Sequence, residues 1–220
     1  QKDVELLVFP ELCITGYTCA DLFFQSSLIN AAEECLSMIA EATKNKNTVV
    51  VVGLPVNIGN SLYNCSVAVY DGDILGAVPK TYIPNYGEYY EKRWFKSGKD
   101  LKGGIALCGQ SVPVGTNLLF AAEGIENFTF GIEICEDLWA PIPPSSYLTM
   151  SGAAIIANTS ASNELATKNE YRTALVSNQS ARCICGYVYS SAGIGESSQD
   201  MVFSGHSIIS ENGSVLIEGD

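Results

Sequence analysis

A glutamate, a lysine and a cysteine each follow a segment that has the pattern of a β-strand. They are Glu11, Lys80 and Cys135, and a proline separates the first two from their strands. Reactive side chains of open sheets gather at the carboxyl edge of the strands, so these three could share one cleft. Together they supply a base, a cation and a nucleophile. Taken singly, each residue is better explained by a structural role: Glu11 as a salt-bridge partner, Lys80 as a solvated lysine and Cys135 as a buried structural cysteine.

The segment around Cys135 has a pattern that suits nucleophilic chemistry. Large apolar residues alternate with smaller or polar ones over 128–134, which predicts a buried strand. Glu136 and Asp137 suit the first turn of a helix, so Cys135 stands between a strand end and a helix N-terminus. Backbone N–H groups at such a position can hold an oxyanion. Free cysteine is also among the most buried residue types, so a packing role is the competing interpretation.

The charges near the cysteine and the single histidine limit the mechanism. Glu133, Glu136 and Asp137 disfavour a thiolate at Cys135, so we expect a neutral resting thiol. His206 is the only histidine and lies in a strand-like stretch, which favours a packed or surface position over catalysis. The base is therefore expected to be a carboxylate. A nearby lysine would offset the negative charge and stabilise an oxyanion.

The composition restricts the class of protein. The 220 residues are 47% hydrophobic and 16% charged, as in one globular domain with a substantial core. A net charge of −12 without a basic stripe argues against nucleic acid and anionic membranes as partners. No run approaches the roughly 20 apolar residues of a membrane span. Eight cysteines without zinc-type spacing predict free thiols in the cytoplasm and no metal site.

Predicted strands and helices mix throughout the chain. A continuous apolar run predicts a strand over 4–9 that is buried on both faces. Apolar residues from Ile29 to Ala40 recur at helical spacing, in a helix that starts near Asp21, and residues 81–95 have the character of a functional surface loop. Further strands are predicted over 48–54, 62–70, 74–78, 117–122, 128–134, 153–157, 184–189, 201–209 and 214–218, and further helices over 145–151 and 163–181. Hairpins together with crossovers favour an α/β fold with a mixed sheet or two packed sheets.

Four ordered stretches resemble motifs of the nitrilase superfamily, and within it the glutaminase domains of glutamine-dependent NAD+ synthetases. The first is Pro-Glu-Leu-Cys-Ile-Thr-Gly-Tyr-Thr-Cys-Ala-Asp-Leu-Phe at 10–23, and the second is Lys-Thr-Tyr-Ile-Pro-Asn-Tyr at 80–86 with Glu91, Arg93 and Phe95. The third is Gly-Ile-Glu-Ile-Cys-Glu-Asp-Leu-Trp at 131–139, and the fourth is Asn-Thr-Ser-Ala-Ser at 158–162. Simple amidases of the superfamily carry an Arg-Phe-Pro-Glu-like stretch after the cysteine, whereas Glu-Asp-Leu-Trp follows it here.

The resemblance implies a nitrilase-like α-β-β-α sandwich with mixed sheets. It implies that residues 1–220 are one carbon–nitrogen hydrolase domain, which we expect to be cut at both ends from a longer chain. The implied reaction is hydrolysis of the glutamine side-chain amide through a thioester. The ammonia would serve a separate ATP-dependent synthetase domain that amidates nicotinic acid adenine dinucleotide to NAD+.

The resemblance also assigns roles to the three strand-end residues. Glu11 would be the general base, Cys135 the nucleophile and Lys80 the oxyanion stabiliser. Glu91 matches a second glutamate that helps to position the lysine and the substrate. The backbone N–H of Glu136 would complete the oxyanion site.

For glutamine binding, the family pattern points to Tyr86, Ser162 and the position of Lys168. The family often has arginine at that last position, and lysine cannot offer the same bidentate fork. Tyr17 would line the same pocket, although an aromatic anchor of the loop explains it equally well. Asn163 stands where proline is common, which leaves the triad intact.

Cofactors and partners follow from the same resemblance. No cofactor is expected in this domain, and ATP and Mg are expected only in the synthetase domain, which lies outside the chain. The expected partners are L-glutamine, that synthetase domain and further copies of the chain in a homo-oligomer. Two alternatives remain open: a free-standing amidase or carbamoylase acting on a small amide, and a catalytically silent scaffold of the same fold.

Overall fold

A computed structural model describes residues 4–126 and 128–219 of the chain. Its strands form two six-stranded mixed sheets and a short two-stranded ribbon. In chain order the strands are β1 (Leu6–Val8), β2 (Val49–Ile58), β3 (Ser61–Tyr70), β4 (Asp73–Pro79), β5 (Asn85–Tyr86), β6 (Tyr89–Tyr90), β7 (Lys102–Leu107), β8 (Gln110–Gly115), β9 (Leu119–Ala121), β10 (Thr129–Ile134), β11 (Ile155–Ser160), β12 (Gly186–Ser191), β13 (Ser207–Glu211) and β14 (Ser214–Gly219).

The helices are fewer and flank the sheets. They are α1 (Ser26–Ala42), α2 (Glu136–Trp139), α3 (Pro144–Met150) and α4 (Lys168–Cys183). Short 3₁₀ turns at Ala20–Phe24 and Glu91–Arg93 lie in the loops. In the parts of the chain that the structure describes, no helix is both long and apolar enough to cross a membrane.

The two large sheets combine parallel and antiparallel pairs. The first sheet has the order β1-β2-β3-β4-β8-β7, and the second has the order β14-β13-β12-β11-β10-β9. In the first sheet β1 is parallel to β2 and β4 to β8, and in the second β10, β11 and β12 run parallel. The carboxyl ends of β10 and β11 therefore lie side by side.

The sheets pack face to face, and helices cover their outer faces. An apolar cluster that includes Val51, Phe130 and Ile132 fills the space between the sheets. Leu36 of α1 packs on the first sheet, and Val176 of α4 packs on the second. Burial of such side chains contributes most of the stability of this arrangement. The α-β-β-α sandwich with mixed sheets is thus confirmed.

The strand predicted over 4–9 is less buried than its apolar run suggests. β1 forms one edge of the first sheet, and among the described strands β2 is its only neighbour. Leu7 and Phe9 are each 40% exposed. The expectation of burial on both faces is therefore wrong: Leu6 and Val8 pack against the cluster between the sheets, whereas Leu7 and Phe9 alternate to the opposite, exposed face.

The hairpin of β7 and β8 is missing from the sequence prediction. Gly103, Gly104 and Pro113 interrupt the strand pattern, because glycine and proline are depleted in strands. A single residue pair, Ala77 with Val114, links β8 to β4. The proline thus costs little, since few ladder hydrogen bonds are made on that side.

The starts of three elements lie several residues after the predicted ones. α1 begins at Ser26 rather than near residue 21, because a 3₁₀ turn precedes it. α4 begins at Lys168 rather than at residue 163. β13 begins at Ser207, and before it only Phe203 makes an isolated bridge, to Asn163.

Gly53 of β2 allows the loop after β1 to lie directly on the first sheet. The Ile14 N–H donates to the Gly53 carbonyl at 3.1 Å. A Cβ at this position would lie 2.3 Å from the backbone nitrogen of Leu12. The close approach places Glu11, the preceding residue, over the end of the sheet.

Replacement of Gly53 by alanine should therefore destabilise the protein. The new carbon would also lie 3.0 Å from the carbonyl carbon of Glu11, so the loop must move. We expect a loss of about 1–3 kcal/mol in the free energy of unfolding, measured by urea denaturation. Gly104→Ala is the control, because its Cβ would meet only the Val112 carbonyl oxygen, at 3.7 Å. Equal effects of the two changes would contradict this account.

Candidate active site

The structure brings Glu11, Lys80 and Glu91 into direct contact. The Lys80 ammonium lies 2.6 Å from Glu11 Oε1 and 2.7 Å from Glu91 Oε1. All three residues are at most 1% exposed. Bonds between charged groups are short and strong, and burial strengthens them further. Two of the three predicted strand-end residues, Glu11 and Lys80, thus lie in direct contact, and Glu91 joins them.

Each member of the cluster is fixed through its backbone as well. The Glu11 N–H donates to the Ser160 carbonyl of β11 at 3.2 Å, which ties the first sheet to the second. The Lys80 N–H donates to the Asn64 carbonyl of β3 at 2.8 Å. Glu91 lies in the 3₁₀ turn 91–93 of the loop after Lys80.

Cys135 occupies a strained turn between β10 and α2. Its φ is 46° and its ψ is −100°, a conformation that costs on the order of 1–3 kcal/mol for a residue with a side chain. Its N–H points back to the second sheet, with the Thr159 carbonyl at 3.0 Å and Asn158 Oδ1 at 3.2 Å. The predicted strand, cysteine and helix start are confirmed here.

A buried polar chain holds Asn158 under this turn. Its side-chain amide donates to Tyr187 Oη at 2.9 Å, and Ser160 Oγ donates to its oxygen at 2.8 Å. The Tyr187 hydroxyl donates in turn to Glu133 Oε1. Because all these groups are buried and satisfied, they restrict the turn that presents Cys135.

The thiol of Cys135 is expected to be neutral, for a reason other than the one the sequence suggests. Burial first, and then the Glu11 carboxylate, raise its pKa above the usual range, and Lys80 opposes them. The adjacent acids are engaged elsewhere. Glu133 Oε2 accepts the Ser145 N–H at 2.7 Å, and Asp137 Oδ2 accepts the Ile134 N–H at 2.9 Å.

Asp137 connects the cysteine turn to the lysine loop. Its Oδ1 accepts the N–H groups of Tyr82 at 2.8 Å and Thr81 at 3.1 Å, directly after Lys80 in the chain. Burial raises its pKa to about 8, and the N–H groups of Ile134 and Tyr82 act in the opposite direction. Its role in the structure is therefore to hold two backbone segments together.

The charges of the cluster depend on one another. Burial is the largest influence on Glu11 and raises its pKa, with Lys80 opposing and Glu91 adding to the effect. Burial disfavours the charge of Lys80, yet Glu11 and Glu91 raise its pKa well above the usual value. The lysine therefore stays an ammonium ion, and Glu11 is a stronger base than a solvated glutamate.

Asn64 and Tyr17 complete the cluster. Asn64 Nδ2 donates to Glu11 Oε1 at 2.6 Å, and the Tyr17 hydroxyl donates to Glu91 Oε1 at 2.7 Å. Asn64 is missing from the sequence prediction, and a polar residue inside an apolar strand was its only signal. Tyr17 is predicted to line the glutamine pocket, and in the structure its hydroxyl contacts Glu91.

Tyr86 and Lys168, both predicted to bind glutamine, contact the first and the last residue of α2, the helix that follows the cysteine turn. Tyr86 Oη donates to Glu136 Oε2 at 2.8 Å, and both residues line one open cleft. The Lys168 ammonium lies 5.0 Å from the centre of the Trp139 ring and contacts Asn163. Burial raises the pKa of Glu136 and lowers that of Lys168.

Ser162 is the most deeply buried of the predicted binding residues. It is 1% exposed, and its hydroxyl oxygen accepts a hydrogen bond from Arg172 Nε at 3.2 Å. Arg172 is missing from the sequence prediction. His206, which was expected to be packed rather than catalytic, is buried beside Arg172 and outside the Glu11–Lys80–Glu91 cluster.

Residues 4–126 and 128–219 contain no candidate metal-binding site. No group of three or more His, Cys, Asp or Glu side chains there is arranged to hold an ion. The acidic residues of the site contact lysine, tyrosine, asparagine and backbone N–H groups instead. The chemistry available to the described residues is that of a buried thiol, a carboxylate base and a fixed ammonium ion.

Known proteins resemble the chain over its whole length. The family model for carbon-nitrogen hydrolase matches residues 1–220. A "Glutamine-dependent NAD(+) synthetase" of Mycobacterium tuberculosis is 40% identical over 215 residues, which are 98% of this chain and 32% of that protein. The chain thus spans about a third of the length of such curated relatives.

Solved structures agree with this result. A glutamine-dependent NAD(+) synthetase from Cytophaga hutchinsonii matches with a TM-score of 0.87 at 32% identity, covering 99% of this chain and 35% of that one. An amidase of the nitrilase superfamily from Nesterenkonia AN1 matches with a TM-score of 0.73 at 19% identity, covering 98% and 73%. Because the amidase is only 19% identical to this chain, this match supports the fold and carries no argument about function.

The state of the Cys135 thiol can be measured by its alkylation with iodoacetamide as a function of pH. Because burial and Glu11 raise its pKa, we expect an apparent pKa above the ordinary thiol value of about 8.5. Glu11→Gln removes a negative neighbour and should lower that apparent pKa. Peptide mass spectrometry separates Cys135 from the other cysteines, and the exposed Cys35 reports on the reagent in the same sample. An apparent pKa below about 8.5 in the unmodified protein would mean that Lys80 outweighs burial.

Proposed function

The chain belongs to the carbon-nitrogen hydrolase family, and on that basis we propose that it hydrolyses the side-chain amide of L-glutamine. A relative that matches 98% of it is named for its dependence on glutamine. One observation carries the proposal. Glu11 Oε1 accepts bonds from Lys80 and Asn64, whereas its buried Oε2 has no hydrogen-bond partner among the described residues. That oxygen is available to take a proton.

The first step is attack by the cysteine. The Cys135 thiol gives its proton to Glu11 Oε2 as the sulfur bonds to the amide carbon. Because the thiol is neutral at rest, the transfer and the attack occur together rather than from a standing thiolate. The carbonyl oxygen of the amide becomes an oxyanion, and the carbon becomes tetrahedral.

The oxyanion is stabilised by donors that are already in place. An ammonium group has three N–H donors, and Lys80 directs two of them at Glu11 and Glu91. The third remains for the oxyanion, together with the backbone N–H of Glu136. Donors fixed in a buried site lower the barrier strongly, because no reorganisation is needed when the charge appears.

The intermediate then breaks down through the same carboxyl group. Protonated Glu11 gives its proton to the amide nitrogen, the C–N bond breaks, and ammonia leaves a thioester on Cys135. A water molecule that transfers its proton to Glu11 attacks the thioester. The proton then returns to the sulfur as glutamate is released, so that base and thiol regain their initial states. The raised pKa of Glu11 suits a group that must both accept and donate a proton.

The amino-acid end of the substrate would meet groups of opposite charge near the cysteine turn. The Glu136 carboxylate, held by Tyr86, suits the α-ammonium group. Ser162 and Lys168 suit the α-carboxylate, with lysine acting as a point charge rather than a fork. The role of Tyr17 is to hold Glu91 in place through its hydroxyl.

The remainder of the proposed function concerns the longer protein. The ammonia would pass to an ATP-dependent synthetase domain of the same chain, which amidates nicotinic acid adenine dinucleotide to NAD+. The curated relatives, of which the matched part is about a third, support this assignment. ATP and Mg would act in that domain, and assembly as a cytoplasmic homo-oligomer belongs to the same proposal.

A glutamine analogue with a diazoketone in place of the side-chain amide tests the function directly. We expect it to alkylate Cys135 alone among the eight cysteines, and glutamine to block the labelling. Peptide mass spectrometry locates the adduct, and Cys135→Ala should neither label nor release ammonia while it keeps the circular dichroism spectrum. Ammonia release that survives in Cys135→Ala would remove the cysteine from its role. Labelling that a small aliphatic amide blocks as well as glutamine does would favour a free-standing amidase.

Lys80→Met separates catalysis from binding. Because the oxyanion exists only along the reaction path, we expect kcat to fall on the order of 100-fold or more. Binding of glutamine, measured by calorimetry in a Cys135→Ala background with and without Lys80→Met, should change far less. Thermal unfolding checks that the two carboxylates left behind do not disrupt the fold. Equal losses in turnover and binding would make Lys80 a binding residue instead.

A further inference from the structure

Arg172 is the largest fully buried side chain of the described residues. It lies in α4, one helical turn after Lys168, so the two cations share a face of the helix. The nearest carboxylate oxygen is Glu164 Oε2 at 3.5 Å, on a side chain that is 40% exposed. A guanidinium group with so distant a partner adds little stability, because desolvation outweighs the attraction. We therefore infer the role of Arg172 from its hydrogen bonds with neutral groups.

The guanidinium group of Arg172 donates hydrogen bonds to the segment that carries Ser162. Its Nε donates to Ser162 Oγ at 3.2 Å, and its Nη2 donates to the Asn163 carbonyl at 3.2 Å. Arginine has no acceptor, so the serine oxygen must be the acceptor of this bond. The single hydroxyl hydrogen of Ser162 is then left to donate to another group. A substrate carboxylate is a fitting acceptor for it.

His206 fixes Arg172 from the opposite side. Because arginine only donates, Nδ1 of the histidine accepts from Arg172 Nη1 at 2.9 Å and carries no proton. The proton is then on Nε2, which donates to Glu218 Oε1 at 2.7 Å. The hairpin of β13 and β14 thereby supports the guanidinium group. The only histidine of the chain acts here as a neutral hydrogen-bonding link.

We propose that Arg172 is a positioning residue, which orients Ser162 toward the carboxylate of the amino-acid substrate and is itself oriented by His206 and Glu218. The proposal rests on the proposed glutaminase function. Arg172 acts through Ser162 and touches neither the thiol nor the amide. Its loss should therefore weaken substrate binding and leave the chemical step largely intact.

Steady-state kinetics of glutamine hydrolysis test this assignment. Arg172→Met should raise KM about 10-fold or more, as expected for the loss of a hydrogen bond made by a charged group, with kcat reduced less than about 3-fold. Alkylation of Cys135 by iodoacetamide, which needs no amino-acid pocket, should be unchanged. Arg182→Met, at an exposed position of the same helix, is the matched control. An unchanged KM, or equal losses in kcat and alkylation, would overturn the proposal.

A double-mutant cycle tests whether Arg172 acts through Ser162. If it does, Arg172→Met should add little to the KM of Ser162→Ala, because the second change removes the group that the first one orients. Fully additive effects on KM would contradict the proposed route.

The histidine offers a second test if the Arg172 variant fails to fold. His206→Gln keeps an acceptor for the arginine and a donor for Glu218, so it should retain a KM near that of the unmodified protein. His206→Leu keeps neither and should raise KM. Equal KM values for these two variants would also overturn the proposal. Failure of the proposed function is distinct, since the unmodified protein would then release no ammonia from glutamine.

Discussion

The ion pairs of Lys80 with two buried carboxylates are the interaction on which the rest of the site depends. The three charged groups are buried together, and removing one partner of a buried ion pair leaves an uncompensated charge that strongly destabilises the fold. Glu11 and Lys80 follow strands of the first sheet, and Glu91 comes from the loop beyond, so the three chain segments must converge. Asn64 and Tyr17 satisfy further lone pairs of the carboxylates and leave one oxygen of Glu11 open.

This arrangement places the basic function on a carboxylate rather than on a thiolate. Many reactive cysteines have a lowered pKa next to a cation or histidine. Here burial and the Glu11 charge keep the Cys135 thiol protonated, and the same burial makes Glu11 a stronger base. In the proposed mechanism the proton is therefore transferred only when a substrate is present to be attacked. The fixed ammonium group would then balance the negative charge as it moves from carboxylate to oxyanion.

Local sequence signals predict most elements of the fold, apart from the hairpin of β7 and β8, and single out the three strand-end residues. They do not predict the contacts that join distant segments. Buried runs and a cysteine between strand and helix place Cys135 correctly, because strand periodicity is a local property. The contact of Asn64 with Glu11 spans 53 positions, and that of Tyr17 with Glu91 spans 74. The position of Asp137 close to Cys135 in the chain likewise suggests that it disfavours a thiolate on that cysteine. In the structure, however, its carboxylate accepts hydrogen bonds from backbone N–H groups. The direction of a side chain depends on tertiary contacts, which one sequence does not display.

The two sheets hold complementary halves of the site. In the proposed mechanism the first provides the base and the cation through Glu11 and Lys80, and the second provides Cys135 and Ser162. Direct ties cross between the sheets next to these residues: the Glu11 N–H bonds to the Ser160 carbonyl at 3.2 Å, and Ser66 Oγ lies 2.6 Å from Thr159 Oγ1. The distance from thiol to base is therefore determined by the packing of the sandwich rather than by a flexible loop. Catalytic groups need placement to within about 0.5 Å, which a close-packed interior between two sheets provides and a mobile segment does not.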